Sequence, residues 1–219
     1  MSAAEFTTAI ADPYRLGHRG PNLARGHGGG GPATKRVIVG YGFWLFLLSD
    51  IIIFACLFAT YAVLADATAG GPKARDIFEL DRVAWETACL LASSFLCGLA
   101  TIAVAQRNQI LTQAALVATG LTGLAFILLE SSEFAALHAQ GFGPTRSAFL
   151  TGFFTLVGCH GVHVTAGLLW LGTMMAQFYA KGFRPDIGRR FLCFSMFLHF
   201  LDVVWVAIFS LVYLVGTRL

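Results

Sequence analysis

Long unbroken runs of apolar residues occupy most of this chain from Tyr41 to its C-terminal end. Each of five runs is longer than the roughly 20 residues that a helix needs to cross a bilayer. The pattern is continuous rather than alternating, which indicates helices, because a helix satisfies its own backbone hydrogen bonds within lipid. The pattern therefore predicts an all-α polytopic membrane protein, a bundle of five transmembrane helices over residues 39–65, 83–105, 112–136, 147–180 and 191–216.

Two segments of different character follow from this pattern. Residues 1–36 form a polar tail rich in Gly and Arg, which lacks the apolar surface needed to offset the entropy of ordering. We expect a flexible cytoplasmic tail there and a five-helix transmembrane domain over residues 37–219.

The basic residues between the apolar runs predict the orientation of the bundle. The tail, the turn at Arg107 and the loop 181–190 carry ten Lys and Arg residues, against five on the opposite side. Positive residues stay on the cytoplasmic side. The N-terminus is therefore predicted to be cytoplasmic and the C-terminus to lie on the outer side of the membrane.

Composition excludes several classes of protein. The chain is 57% hydrophobic and only 12% charged, about half the charge of a typical soluble domain. A net charge of +3, located in loops and tail, makes nucleic acid an unsuitable partner. The five cysteines stand singly inside apolar runs, which argues against a disulfide framework or a zinc site.

Ionisable residues inside the apolar runs are the candidate functional groups, because each must face protein or a cavity rather than hydrocarbon. Helix rise places them in two layers. An inner layer near the midplane contains Asp50, His160, His163, His199 and Asp202. An outer layer contains Glu86, Glu130 and Glu133. We expect the inner layer to form a hydrogen-bonded network, either as a structural clamp between helices or as a proton relay.

The histidine spacing argues against a redox cofactor in this chain. His160 and His163 lie on one face of one helix, whereas haem needs ligands from opposing helices. No Glu-x-x-His spacing of a dinuclear carboxylate site occurs. We therefore predict no cofactor-binding or metal-binding residue in this chain.

Several spaced motifs give the chain a recognisable resemblance. The run His199-Phe-Leu-Asp202-Val-Val-Trp205 resembles the last helix of subunit III of haem-copper terminal oxidases. The segment around His160 and His163, the Glu133-Phe134 step and Ser49-Asp50 are similar to further motifs of that family. Residues 68–72, 76–80 and 86–87 are similar to the cytochrome o ubiquinol oxidase branch, and the resemblance covers about residues 41–218.

The resemblance implies a non-catalytic subunit of a bacterial, proton-translocating ubiquinol oxidase in aerobic respiratory electron transport, so no catalytic residue is expected in this chain. The chain would then lie in the bacterial inner membrane, with its C-terminus periplasmic. Haems and copper are then expected in partner subunit I, and subunit II and a small subunit IV are further expected partners. Ubiquinol would be the substrate of the complex. Longer relatives have two additional helices that help form a lipid-holding cleft, and Asp50 stands where many relatives have Glu. This chain lacks those two helices, so the resemblance leaves open whether it binds a phospholipid.

Three alternatives stay open at this point. One is subunit III of a cytochrome c oxidase, or the related accessory subunit of a nitric oxide reductase, which differs in its partner. Another is a proton- or ion-coupled carrier that uses the buried acids and histidines as its transport site. The third is a structural scaffold whose polar residues only join helices.

Overall fold

Five long helices form the structure, a computed structural model that describes residues 34–71, 77 and 79–216. Each helix is long and apolar enough to cross a membrane, which confirms the predicted all-α five-helix bundle. The helices are α1 (Lys35–Leu64), α2 (Leu80–Ala105), α3 (Gln109–Ala139), α4 (Ala148–Lys181) and α5 (Pro185–Ile208), and α5 continues as a π-helical segment, Phe209–Val215. The predicted flexible tail lies outside the described residues, apart from residues 34–36.

Local sequence explains where the central helices begin. The side chain of Asn108 accepts a hydrogen bond from the Leu111 amide and caps α3, directly after Arg107 turns the chain with a φ of 54°. Ser147 caps α4 in the same way, through the Leu150 amide. Such caps satisfy amide groups that have no partner within the first helical turn.

The connection between α4 and α5 is shorter than the sequence predicts. Gly182 ends α4 with a φ of 65°, and α5 begins at Pro185 instead of near residue 191. Proline suits the first turn of a helix, and Asp186 adds a favourable negative charge there. Residues 185–190 therefore form the first turns of a helix. Hydropathy missed them because these turns are polar.

Each helix packs against at least two of the others. Helix α1 lies against α4 and α5, α2 pairs with α3, and α5 also contacts α2. A Cβ atom added to Gly152 would lie 3.6 Å from Tyr61 Cα, which shows how closely α1 and α4 approach. Phe126 and Trp205 meet edge to face, 4.7 Å apart, in the centre of the core.

Candidate functional site

Three glutamates from α2 and α3 meet inside the bundle. Carboxylate oxygens of Glu86, Glu130 and Glu133 lie within 4.8 Å of one another. Glu86 is fully buried, and the other two are 4% and 6% exposed. Within the described part of the chain, the oxygens of Glu86 and Glu130 accept no hydrogen bond. The structure thus brings the three residues of the predicted outer layer into one buried carboxylate cluster.

Arg82 supplies positive charge to this cluster. Its Nε lies 3.8 Å from Glu86 Oε1, one helical turn away on α2. Its Nη2 donates to the Leu129 carbonyl at 3.0 Å and to the hydroxyl of Ser132, which ties α2 to α3. Charged groups inside a membrane protein are stabilised by such pairing. Arg82 therefore acts as the counterion of the carboxylate cluster.

Tyr213 reaches the same cluster from the π-helical end of α5. Its hydroxyl donates to Glu133 Oε2 at 3.5 Å, and the side chain is fully buried. A π-helical segment turns side chains by a different angle from an α-helix, and such segments recur where a fold needs a special orientation. Three helices therefore converge on the carboxylate cluster.

The carboxylate cluster also has the geometry for a cation. Over the described residues it is the one group of three His, Cys, Asp or Glu side chains that comes close enough to hold a metal ion. Carboxylate oxygens are ligands of hard cations, but the Arg82 guanidinium already faces Glu86. The absence of metal-binding residues expected from the sequence stays a prediction.

His160 is enclosed by aromatic rings rather than by polar groups. Its ring is stacked on Trp205 with centroids 5.3 Å apart, and Phe126 and Phe54 meet its other sides edge-on at 5.8 and 6.4 Å. The residue is fully buried, and neither ring nitrogen has a hydrogen-bond partner in the described chain. A haem could not reach this ring, because the three aromatic side chains occupy the space around it.

His163 and Asp50 lie beside the same turn of α4. The Nδ1–H of His163 donates to the Cys159 carbonyl of its own helix at 2.7 Å, and its ring lies 5.2 Å from that of Phe54. Asp50 is buried on α1, one helical turn before Phe54. No described residue forms a hydrogen bond with the Asp50 carboxyl group. Asp50 and His163 thus lie at the contact between α1 and α4, and the described residues show no hydrogen bond between them.

His199 and Asp202 form a separate group between α5 and α2. His199 Nδ1 is hydrogen-bonded to Ser94 Oγ at 2.7 Å and lies 3.8 Å from Asp202 Oδ2, too far for a hydrogen bond. The His199 side chain is 49% exposed and that of Asp202 is 14% exposed. His199 therefore lies at the surface of the bundle, whereas Asp202 is mostly buried and its Oδ2 has no hydrogen-bond partner in the described chain.

The predicted inner layer is thus divided into three places. His160 lies in the aromatic core, and His163 and Asp50 lie between α1 and α4. His199 lies on the α2–α5 surface, with the mostly buried Asp202 beside it. Within the described residues, no hydrogen bond joins these places into one network. Depth alone predicted a common layer. The direction in which each side chain leaves its helix separates the residues.

Sequence reasoning missed two contributors to these sites. Arg82 lies between two apolar runs, and this position in the sequence predicts a loop residue. In the structure it precedes Glu86 by one turn of α2. The Trp205 indole N–H donates to the Thr87 hydroxyl at 3.0 Å, and Thr87 donates in turn to the Val83 carbonyl. The spacing of Arg82 and Glu86 was a usable signal, because residues four apart share one helix face. No comparable signal pointed to the contact between α5 and α2.

Comparison with known proteins gives a consistent picture. The family model described as cytochrome c oxidase subunit III matches residues 26–217. Cytochrome bo(3) ubiquinol oxidase subunit 3 of Pseudomonas aeruginosa is 47% identical over 216 residues, 99% of both chains. The protein of the same name from Pseudomonas putida is 52% identical and covers 80% of this chain and 84% of its own length. Quinol oxidase subunit 3 of Bacillus subtilis is 39% identical, over 80% of this chain and 86% of its own length. The chain belongs to the cytochrome c oxidase subunit III family.

Proposed function

We propose that this chain is the non-catalytic subunit III of a bacterial, proton-translocating cytochrome o-type ubiquinol oxidase. The observation that carries the proposal is the 47% identity with the Pseudomonas aeruginosa subunit along 99% of both chains. In this role the chain packs against subunit I, stabilises the complex and supports proton uptake. The complex itself would transfer electrons from ubiquinol to oxygen in aerobic respiration.

The redox cofactors belong to partner subunits in this proposal. Haem and copper would be held by subunit I, with subunit II and a small subunit IV completing a complex in the bacterial inner membrane. The polar groups of this chain support that division of roles. His160 is shielded by three aromatic rings, which leave no room for a haem beside it.

The interior of the bundle favours a subunit over an independent carrier. A cavity of about 10 Å³ lies between α2, α3, α4 and α5, where Asp202, Ser93 and Thr119 contribute to its walls. This volume suits at most about one water molecule. A transporter needs a substrate site near the midplane, which a cavity of this size does not offer. The compact interior supports the subunit function.

The names of the relatives also favour a quinol over cytochrome c as electron donor. The Pseudomonas and Bacillus relatives are named as subunits of quinol oxidases, whereas the family model takes its name from cytochrome c oxidase. The fold is common to both kinds of complex, as it is to the accessory subunit of a nitric oxide reductase. The electron donor therefore has to be established by assay.

A phospholipid is the ligand that we propose for this chain itself. A groove of about 360 Å³ near the start of α5 is lined by Arg36 and Arg189 together with Phe191 and Leu192. Arginine side chains bind phosphate, and the apolar walls suit an acyl chain. Mass spectrometry of the purified complex should find phospholipid retained by the wild-type chain and reduced in an Arg36→Gln, Arg189→Gln variant.

Deletion of the chain from its native host tests the proposed function. We expect membranes without this chain to contain less haem-bearing complex and to lose ubiquinol-dependent oxygen uptake during sustained turnover. Reintroducing the wild-type chain should restore both. Full assembly and unchanged sustained ubiquinol oxidation in the deletion strain would contradict the proposal. Oxygen uptake that depends on cytochrome c instead would favour the alternative complex.

A further inference from the structure

His199 lies at a membrane depth where lipid offers its ring no hydrogen-bonding partner. It follows the start of α5 at Pro185 by about 21 Å of helix rise, near the middle of the continuous Pro185–Val215 span. Its side chain is nevertheless 49% exposed on the surface of the bundle. Ionisable side chains at this depth almost always face protein or a water-filled cavity. The exposed ring therefore indicates that another protein covers this surface.

The two ring nitrogens of His199 differ in their surroundings. Nδ1 is bonded to Ser94 Oγ at 2.7 Å and lies 3.8 Å from Asp202 Oδ2. A hydroxyl group can donate to a ring nitrogen or accept from it, so the Ser94 contact fits either tautomer of His199. In both tautomers Nε2 is a polar atom, and no described residue forms a hydrogen bond with it. The surface thus needs a hydrogen-bonding partner from outside the chain.

Exposed hydroxyl groups elsewhere in the spans do not create this need. Ser49 on α1 donates to the Phe46 carbonyl at 2.6 Å, and Thr165 on α4 donates to the Gly161 carbonyl at 2.9 Å. These side chains satisfy themselves within their own helices and can face acyl chains at low cost. His199 differs, because its ring forms a hydrogen bond with Ser94 of α2 and not with the backbone of its own helix.

The neighbouring surface of α2 is shaped for close helix packing. Ser94 and Gly98 are four residues apart and share one helix face, and a Cβ atom added to Gly98 would meet nothing within 4 Å. Small residues at this spacing let a second helix approach closely in membranes. Exposed Phe95 (67%) and Val203 (70%) flank this strip on α2 and α5.

Residues of two helices together form what we call the Ser94–His199 face: Ser94, Phe95 and Gly98 of α2 with His199 and Val203 of α5. Resting on the proposed oxidase function, we propose that this face is the docking surface for a transmembrane helix of a partner oxidase subunit. The partner helix presents a polar group, such as a hydroxyl, that forms a hydrogen bond with His199 Nε2 at mid-membrane depth. Its backbone approaches α2 most closely at Gly98. A polar group is required because Nε2 has no partner in the described chain.

Photo-crosslinking in the intact complex tests this surface without disturbing the fold. Benzoyl-phenylalanine is introduced in place of Phe95, and at the control position Leu169, which is 71% exposed on α4. Illumination of native membranes should join the chain to an oxidase subunit from position 95 and not from position 169. Crosslinks to a subunit from position 169 alone, or to lipid alone from position 95, would overturn the proposal.

Glycine variants provide a second, independent test. Gly98→Leu fills the docking surface, whereas Gly172→Leu on α4 and Gly42→Leu on α1 fill other positions where an added Cβ also meets nothing. We expect at least about tenfold less haem per tagged chain for Gly98→Leu, because bulk at the small-residue strip blocks helix approach. The two controls should retain haem as the wild type does. Equal haem in all three variants would overturn the proposal.

Haem content and crosslinking of the complex distinguish a failure of the docking surface from a failure of the proposed function. A wild-type chain that is purified without haem contradicts the oxidase function and the docking surface together. A wild-type chain that brings haem, but forms no crosslink to a subunit from position 95, contradicts the docking surface alone. His199→Leu should lower haem retention as Gly98→Leu does, whereas His199→Gln, which keeps an acceptor, should restore much of it.

Discussion

The indole N–H of Trp205 donates to the hydroxyl of Thr87 at 3.0 Å. This contact ties the last helix of the bundle to the second, across 118 residues of sequence. The indole ring is also stacked with the ring of His160 on α4. Trp205 therefore links three helices through one side chain.

Removing the donor should weaken the bundle modestly. Trp205→Phe keeps most of the aromatic packing and loses the hydrogen bond to Thr87. Interhelical hydrogen bonds in membrane proteins contribute about 0.6 kcal/mol on average, so we expect a loss of roughly that size. Unfolding in mixed micelles measures it. Thr87→Val should give a similar loss, and the double variant should lose little more. Strictly additive losses would show that the two residues do not act together.

Replacing the buried imidazole should not destabilise the chain. Both ring nitrogens of His160 lack a partner in the described chain, and an unsatisfied buried polar group costs about 1–3 kcal/mol. His160→Leu removes that cost and keeps an apolar side chain among Phe126, Phe54 and Trp205. We expect unchanged or higher resistance to unfolding. Phe126→Ala, which leaves a cavity in the same place, should lower it. Marked destabilisation by His160→Leu would indicate that the ring has a hydrogen-bond partner after all.

Arg82 should matter more than its position near a helix end suggests. Arg82→Met removes the positive charge beside Glu86 and leaves three buried carboxyl groups without a counterion. Breaking a fully buried ion pair costs about 3–5 kcal/mol, and we expect about 2 kcal/mol here because Arg82 is 28% exposed. Glu86→Gln in the same chain should recover part of the loss. A double variant no more stable than Arg82→Met alone would contradict this account of the carboxylate cluster.

Substitutions at two glycines should have different effects on stability, because one glycine lies in a close helix contact and the other does not. A Cβ atom at Gly120 would lie 2.8 Å from Leu171 Cδ2, so Gly120→Ala must displace that leucine. We expect destabilisation of about 1 kcal/mol, the lower end of the cost of overpacking. Gly172→Ala meets nothing within 4 Å and should be neutral or slightly stabilising, because alanine favours helix. Equal effects of the two variants in micelle unfolding would argue against the close contact between α3 and α4.

The bundle could be predicted from sequence because a bilayer crossing imposes its own length and polarity. Hydropathy predicted the five spans, and depth along the helices placed Glu86, Glu130 and Glu133 in one layer. These are the three residues whose carboxylates the structure brings together. The azimuth of a side chain around its helix was not predictable in the same way. Transmembrane helices are apolar toward both lipid and protein, so no polar face shows which side is buried. His160 and His199 were therefore placed together, although the first is in the core and the second is at the surface.

Contacts between distant helices were the other part that sequence could not supply. The end of the Pro185–Val215 span changes from α-helix to π-helix, and this change accompanies the contact of Tyr213 with Glu133. The residues of the segment Phe209–Val215 are mostly ordinary apolar residues, with one serine and one tyrosine. Nothing in their pattern distinguishes them from α-helix. Tertiary packing determines such a local change, as it determines the pairing of Trp205 with Thr87.

Affinity purification of the tagged wild-type chain from its native membranes tests the central claim most directly. The measurement is the reduced-minus-oxidised optical spectrum of the material eluted in mild detergent. The account predicts haem bands in constant proportion to the chain, together with oxygen consumption on ubiquinol. A folded chain that elutes without haem and without other subunits would contradict it.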